Sequence, residues 1–366
     1  MTVFISKQKK GVKQAIKRIV DSFSNELDLS KGIILKPNIV FPVKDNTGQI
    51  TRLSVVKALV EVLREKKPDI DIVFGEGVAA GAIAQDNFSK SGFQRLSDEL
   101  GVPLIDLDNA ERIPLRWEYG TLKLPKIIFD RTYISLPILK RSSAAVFSGA
   151  MKNQKGLILP KMKKAFHKIG LHKPLAELNK VIQPSLTIMD CANFSVETLF
   201  IASNNSYEAD KVAIKFLGIS EPDYFKIAMT LGIGNDDFNI IGDPIGPAVL
   251  KKNFEDSTVK KFIRLKFRVS HQTCSMCRYL FQDMTNFKSG NYFLKFVFFS
   301  KLISYAFFGA EIILGSKCDT IDYSKKIICI GDCTKKFAKN NGYIHIPGCP
   351  PTIKDIAKIK YIKQSL

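Results

Sequence analysis

The chain has 366 residues, of which 45% are hydrophobic and 25% charged. That balance excludes a disordered, collagen-like or low-complexity chain, and the length suffices to bury a core without disulfide staples. Lys and Arg number 55 against 35 Asp and Glu, a net charge of +20, which bears on partners and solubility rather than on fold.

The opening residues, Met1 to Lys7, are too soon charged for the apolar region of a secretory signal. Gly32-Ile33-Ile34-Leu35 reads as a buried strand ending at Lys36-Pro37-Asn38. Leu53, Val56, Leu59 and Leu63 have helical spacing behind a Thr51 cap. Asp71 to Phe74 is the next strand and runs into Gly75-Glu76-Gly77. A helix over 88–100 and a strand over 103–106 follow. Tyr133 to Pro137 reads as a strand, 171–182 as a helix and Leu186 to Asp190 as a strand. The strand 199–202 and the helix 209–217 complete the series. This alternation predicts an α/β fold, a mostly parallel sheet with helices on both faces. Ligands of such folds sit at the carboxyl ends of the strands, where Lys36-Pro37-Asn38, Gly75-Glu76-Gly77 and Asp190 fall.

Gly and Pro cluster at 242–247, which sets the domain boundary: 1–246 as the α/β domain and 247–366 as a smaller, cysteine-containing α+β region. Residues 251–366 hold 21 Lys and Arg against 8 acids, so +13 of the +20 lies there. The apolar stretch 293–314 is interrupted by Lys295, Lys301 and Glu311. It reads as a buried or amphipathic helix, not a membrane span. The expected location is the cytoplasm.

Between Arg131 and Glu177 the chain carries no other acid, while Lys140, Lys152, Lys155, Lys161, Lys163, Lys164, Lys168, Lys173, His167 and His172 crowd the segment. Glycine lets backbone N–H groups approach an anion and Lys supplies point charges. The segment is either a site for a phosphate- or carboxylate-bearing small molecule or a solvated basic loop. Gly75-Glu76-Gly77 with Gly81 lacks dinucleotide-loop spacing and reads as a tight turn.

Seven cysteines are unevenly placed, with six in the last third. Cys274-Ser275-Met276-Cys277 is a C-x-x-C pair able to grip one metal. Cys333 follows Gly331-Asp332, and Cys349 sits in Gly348-Cys349-Pro350-Pro351. Glycine and proline around a cysteine fix irregular turns. Four thiolates can hold an iron–sulfur cluster or a structural zinc. The wide spacing of Cys333 and Cys349 favours the cluster over zinc, which prefers two compact pairs. Cys329, in an apolar strand-like run, reads as a core residue, and Cys318 as a substitute ligand or a bystander.

Several segments together resemble the bacterial and archaeal domain-of-unknown-function family 362, in its form with a cysteine-bearing C-terminal extension. They are Leu35-Lys36-Pro37-Asn38, Gly75-Glu76-Gly77, Leu136-Pro137-Ile138-Leu139-Lys140, the run from Ser148 through Lys152-Asn153-Gln154-Lys155 to Leu157, His167, Asp190, Glu208-Ala209-Asp210, and the turns of Cys274, Cys277, Cys333 and Cys349. The resemblance implies an α/β domain and a 4Fe-4S cluster on those four cysteines. It departs from the family where Arg141 and Ser142 replace a histidine after Lys140, and where no Gly- and Pro-rich loop follows Asp190.

The expected function is that of an iron–sulfur redox enzyme or electron-transfer protein. An anionic small molecule is expected near Lys36, Asn38, Gly75, Glu76, Gly77, Lys140, Lys155, Asp190 and Asp210, with Lys152, Asn153 and His167 in catalytic roles. An acidic redox protein such as a ferredoxin would dock on the basic face. Two alternatives stand beside it: a zinc-stabilised basic nucleic-acid-binding protein, and a cluster-bearing accessory protein without its own substrate.

Overall fold

The computed structural model describes residues 2–40, 42–78, 83–142, 146–194, 198–246, 259–262, 265–269, 309–314 and 326–348. The chain divides into two units, Met1–Phe254 and Glu255–Leu366. The division falls eight residues beyond the expected boundary, within a stretch outside the described residues.

The first unit runs β1 (Thr2–Lys7), α1 (Val12–Ser22), β2 (Ile33–Pro37), α2 (Leu53–Lys66), β3 (Ile72–Glu76), α3 (Ala84–Ser91), α4 (Phe93–Leu100) and β4 (Leu104–Asp106). A hairpin of β5 (Arg112–Trp117) and β6 (Gly120–Pro125) leads through α5 (Ile127–Asp130) to β7 (Thr132–Leu136), then β8 (Lys140–Ser142) and β9 (Val146–Ser148). Next come α6 (Ala150–Asn153), α7 (Pro160–Ile169), α8 (His172–Val181), β10 (Leu186–Asp190), β11 (Leu199–Ser203), α9 (Ser206–Leu217), α10 (Asp223–Thr230) and β12 (Asn239–Gly242).

Eight strands form one sheet in the order β12-β1-β11-β10-β7-β2-β3-β4. From β10 to β4 every pairing is parallel, while β11 is antiparallel to both β10 and β1. Alternate residues face opposite sides of a strand, so the central strands feed two cores. Ile33, Leu35, Phe74 and Leu136 join Ile16, Ile19, Val56 and Leu59 on one face. Ile34, Val73, Tyr133 and Met189 join Phe147, Leu175, Val212 and Phe225 on the other. Strands buried on both faces read as continuous apolar runs, which is why the sequence exposes them.

Three local expectations change. The helix predicted over 88–100 is two helices, broken at Gly92, whose φ of +87° suits glycine alone. Thr51 is no cap: Arg52 precedes α2, and the Thr51 hydroxyl instead accepts from Asn38 N–H (2.8 Å) and donates to Leu136 O (2.6 Å). It thereby ties β2 to β7 at their carboxyl ends. The basic segment contributes α6, α7 and α8.

In the second unit β13 (Val259–Phe262), β14 (Leu265–Val269), β15 (Ala310–Leu314), β16 (Lys326–Ile330), α11 (Lys335–Asn341) and β17 (Ile344–Ile346) form a five-stranded sheet in sequence order. All pairings from β14 to β17 are parallel. The described part is therefore a mostly parallel sheet, with β13 antiparallel to β14 at one edge and a connecting helix before β17. The helix expected over 293–314 fails at its end, because Ala310–Leu314 is a buried central strand; residues 293–308 lie outside the described residues. A short apolar run fits either element, and β14 and β16 on its flanks settle it here. Cys329 is buried in β16, as its surroundings suggested. No helix among the described residues is long and apolar enough to cross a membrane.

Candidate functional site

The carboxyl ends of β2, β3 and β7 meet beneath residues 149–157, and a buried polar network fills that junction. Lys36 Nζ, on a side chain 0% exposed, pairs with Glu76 Oε1 at 2.8 Å. It also lies 3.3 Å from Asn153 Oδ1. Glu76 accepts two backbone N–H groups, from Ile39 (3.0 Å) and Gly77 (2.9 Å). Asn153 Oδ1 accepts from Asn38 Nδ2 at 3.0 Å, and Asn153 Nδ2 donates to Ser135 Oγ at 3.0 Å. Lys140 Nζ donates to Asn38 Oδ1 (2.9 Å) and to Gln49 O. Burial pulls the Lys140 ammonium down to about 8, with Lys36 adding to the fall and Glu76 opposing it.

Six predicted residues thus belong to one network: Lys36, Asn38, Glu76, Gly77, Lys140 and Asn153. The glycines serve close packing. A Cβ on Gly156 would overlap Glu76 Oε1 and Lys36 Nζ, and one on Gly77 would overlap Gly156 O. A Cβ on Gly75 would come 2.9 Å from Ile34 Cδ1. The 149–157 segment therefore seats directly on the ion pair.

Asp210, on α9, anchors that segment from below. Its carboxylate accepts from Ala150 N–H (2.6 Å) and Met151 N–H (3.0 Å). Burial raises this carboxyl to about 7, against the two N–H groups. Asp210 is a positioning group for the segment that carries Lys152 and Asn153. Asp190, at the end of β10, takes a two-pronged contact from Arg52, Nε to Oδ2 at 2.6 Å and Nη2 to Oδ1 at 2.9 Å. It also accepts from Ala192 N–H at 3.0 Å. The Asp190 carboxylate is fully buried, and Arg52 closes it on the side of β2.

Lys152 lies half-buried on α6, and Lys155 Nζ sits 5.5 Å above the Phe166 ring. His167 is on α7, and its side chain lies outside the described residues. Sequence reasoning passed over Arg52, Asp108 and the partnership of Lys163. Lys163 Nζ binds Val78 O (2.6 Å) and Asp108 Oδ1 (3.3 Å), and Asp108 Oδ2 accepts from Val78 N–H. Burial opposes both charges, lowering the lysine and raising the acid. This pair fastens α7 to the end of β3. Arg52 could have been noticed as a cation at a helix start, where the dipole disfavours it.

Residues 33–215 match the family described as a domain of unknown function, DUF362. The chain belongs to the DUF362 family. The DUF362 match embraces the whole of the network just described and stops before the cysteine-bearing residues 247–366. No curated protein matches the chain. Among solved structures, it is similar to the lactate racemase apoprotein from Thermoanaerobacterium thermosaccharolyticum, with 14% identity over 59% of this chain and 56% of that one and a TM-score of 0.40. A Thermotoga maritima protein from a structural genomics programme gives 14% identity, 60% and 58% coverage and a TM-score of 0.36. The chain thus spans under two thirds of either of these proteins.

The second unit of this DUF362 protein carries six of the seven cysteines. Cys274, Cys277, Cys318 and Cys349 lie outside the described residues, whereas Cys333 is described and exposed. Among the described residues no group of three His, Cys, Asp or Glu side chains gathers at a point. The strand ends are nonetheless level: Val269 registers with Leu314, Leu314 with Ile330 and Ile330 with Ile346. Beyond those four positions the sequence reaches Cys274 in five residues, Cys318 in four, and Cys333 and Cys349 in three each. Gly331 N–H donates to Ile346 O (2.8 Å) and Asp332 N–H to Gly348 O (2.9 Å), so the turn after β16 and the chain leaving β17 run side by side. From the point a Cβ on Gly331 would occupy, Cys333 Sγ is 3.5 Å away and Gly348 O 3.7 Å.

Proposed function

We propose that this DUF362 protein is an iron–sulfur redox protein. Cys274, Cys277, Cys333 and Cys349 of the second unit would hold a 4Fe-4S cluster, and the first unit would bind an anionic small molecule at its strand carboxyl ends. The observation that carries the reading is the pair of main-chain bonds joining Gly331 and Asp332, before Cys333, to Ile346 and Gly348, ahead of Cys349. Level strand ends support it further. Neighbouring strands are roughly 4.8 Å apart, so β14 and β17 stand roughly 14 Å apart. Five residues reach at most roughly 17 Å, enough for loops from both strands to meet. Soft thiolate donors in Gly- and Pro-bounded turns suit a cluster, and a bound cluster supplies one-electron transfer. A reducing compartment, the cytoplasm, is the proposed location.

The chain's own residues would divide the rest. Lys140, half-buried and held by Asn38, offers an ammonium with a lowered pKa to a carboxylate or phosphate. Asn38 and Asn153 fix its surroundings, and Asp210 holds the segment that presents Lys152. Glu76 holds the Lys36 side chain in place beneath them. An acidic redox protein such as a ferredoxin is the proposed partner for residues 251–366, with their +13 balance.

The test is oxygen-free purification of the full chain. Iron and acid-labile sulfide of about four each per chain, with an electron paramagnetic resonance signal on reduction, support the reading. A colourless protein that carries zinc, or no metal, refutes it.

A further inference from the structure

We infer that Lys140 is a nucleophilic amine that condenses with the keto carbon of a small α-keto acid, forming an imine at the strand carboxyl ends of the first unit. The inference rests on the reading of those strand ends as a site for an anionic small molecule and names the class of that molecule. It does not depend on the cluster.

A lysine serves as a nucleophile when it is neutral, fixed and within reach of solvent. The carboxylate of the buried network is engaged before the contacts arrive at Lys140. Glu76 Oε1 takes Lys36 Nζ (2.8 Å) and the Gly77 N–H (2.9 Å), and Oε2 takes the Ile39 N–H (3.0 Å). From Lys36 the contacts pass through two amides whose orientation the network dictates. Asn153 turns Oδ1 to Lys36 Nζ (3.3 Å) and Nδ2 to Ser135 Oγ (3.0 Å). Asn38 Nδ2 meets that same Oδ1 at 3.0 Å, so Asn38 presents its own Oδ1 to Lys140 Nζ at 2.9 Å. The Gln49 carbonyl oxygen also accepts from Lys140 Nζ. Both oxygens are uncharged. A neutral amine carries two N–H groups and one lone pair, so its two N–H groups match these two acceptors and its lone pair points away from them. Burial favours that form, pulling the Lys140 ammonium down to about 8 from 10.5. At about pH 7.5 the amine is then neutral about two hundred times more often than an ordinary lysine. Lys36, Asn38, Glu76 and Asn153 are buried whereas Lys140 is half-buried, so the network opens toward solvent at the amine.

The amine calls for an electrophilic carbon, and its surroundings call for an anion. Residues 132–176 contain no Asp or Glu. The 149–157 segment seated on the network adds Lys152 and Lys155, both half-buried. A carbonyl joined to a carboxylate meets both demands. In the step, Lys140 Nζ bonds to the keto carbon, and the keto oxygen takes up the two amine hydrogens and leaves as water. The product is a C=N bond, and no electrons are exchanged. Once protonated, the imine keeps one N–H for Asn38 Oδ1.

The test uses the wild-type full chain, so no variant has to fold. It is incubated with α-ketobutyrate and sodium cyanoborohydride, which reduces an imine to a stable secondary amine, and the adducts are mapped by peptide mass spectrometry. Butanone, a ketone of the same length without the charge, is run beside it, and butyrate, without the keto group, serves as competitor. Lys140 should be modified about tenfold faster or more than the exposed Lys10 and Lys123. That preference should be larger with α-ketobutyrate than with butanone, and butyrate should slow the reaction at Lys140. Modification of Lys140 no faster than of Lys10 and Lys123 overturns the inference, as does an equal preference with butanone. Urea midpoints followed by Trp117 fluorescence, with α-ketobutyrate and no reductant, report binding by itself. A raised midpoint without a Lys140 adduct overturns the reactive lysine and leaves the anion site standing. An unmoved midpoint without an adduct overturns both.

Discussion

Replacing Lys36 by Met puts the buried network to a direct test. The Lys36 and Glu76 side chains are 0% and 1% exposed, so removing the ammonium strands a carboxylate away from water. Breaking a buried pair from one side costs about 3–5 kcal/mol. Glu76 keeps the N–H groups of Ile39 and Gly77, which places the loss at the lower end, about 3 kcal/mol. Trp117 is the single tryptophan of the chain and is buried in the first unit against Tyr119 and Phe166. Its fluorescence therefore follows the unfolding of that unit in urea. With a slope of about 3 kcal/mol per molar, the midpoint should fall by about 1 M. Adding Glu76→Gln removes the stranded charge and should restore more than half of the loss. A fall of less than about 0.3 M in the single variant, or no recovery in the double, refutes the reasoning.

Asp210 is raised to about 7 from 3.8, so the folded state keeps a proton that the unfolded chain releases between those values. Stability of the first unit should therefore decline as pH rises from about 4 to 7, and Asp210→Asn should flatten the decline in urea midpoints followed by Trp117. Lys140 has the opposite sign: lowered to about 8 from 10.5, it is neutral in the folded state while still protonated in the unfolded chain. Stability should climb between pH 8 and 10.5, and Lys140→Met should remove the climb. Gly156→Ala forces a methyl onto Glu76 and Lys36 and should cost about 2 kcal/mol in the same assay. Arg52→Ala should cost about 3 kcal/mol by stranding Asp190, and Arg52→Lys should recover part of that, since a point charge replaces a two-pronged contact.

The first unit was legible because its central strands are apolar on both faces and end in Gly, Pro or Asn. Ile33 to Asn38 and Ile72 to Gly77 show this directly, and their ends carry the residues that form the network. Partnerships between those residues were not legible. That Lys36 spends its charge on Glu76, or that Asp190 faces Arg52, depends on segments brought together from 40 and 138 positions apart. The edge strand β12 escaped notice because it is exposed at every residue, which leaves no alternation to read. In the second unit β14 alternates apolar residues with Lys266 and Arg268, and β17 is three residues long. With neither strand recognised, the cysteines stood as points along a line, and the short distances of Cys274, Cys318, Cys333 and Cys349 from four strand ends could not be seen.

The placement of β1 has a consequence for how the polypeptide comes together. It lies between β11 and β12, so the earliest described strand has both neighbours roughly two hundred positions downstream. During synthesis Val3, Phe4 and Ile5 must wait for residues 199–203 and 239–242 before their hydrogen-bonding edges are covered. Such distant pairing is slow and leaves apolar backbone open to other chains meanwhile. A nascent chain of this architecture would benefit from a chaperone holding its first few residues until the last strand of the sheet emerges.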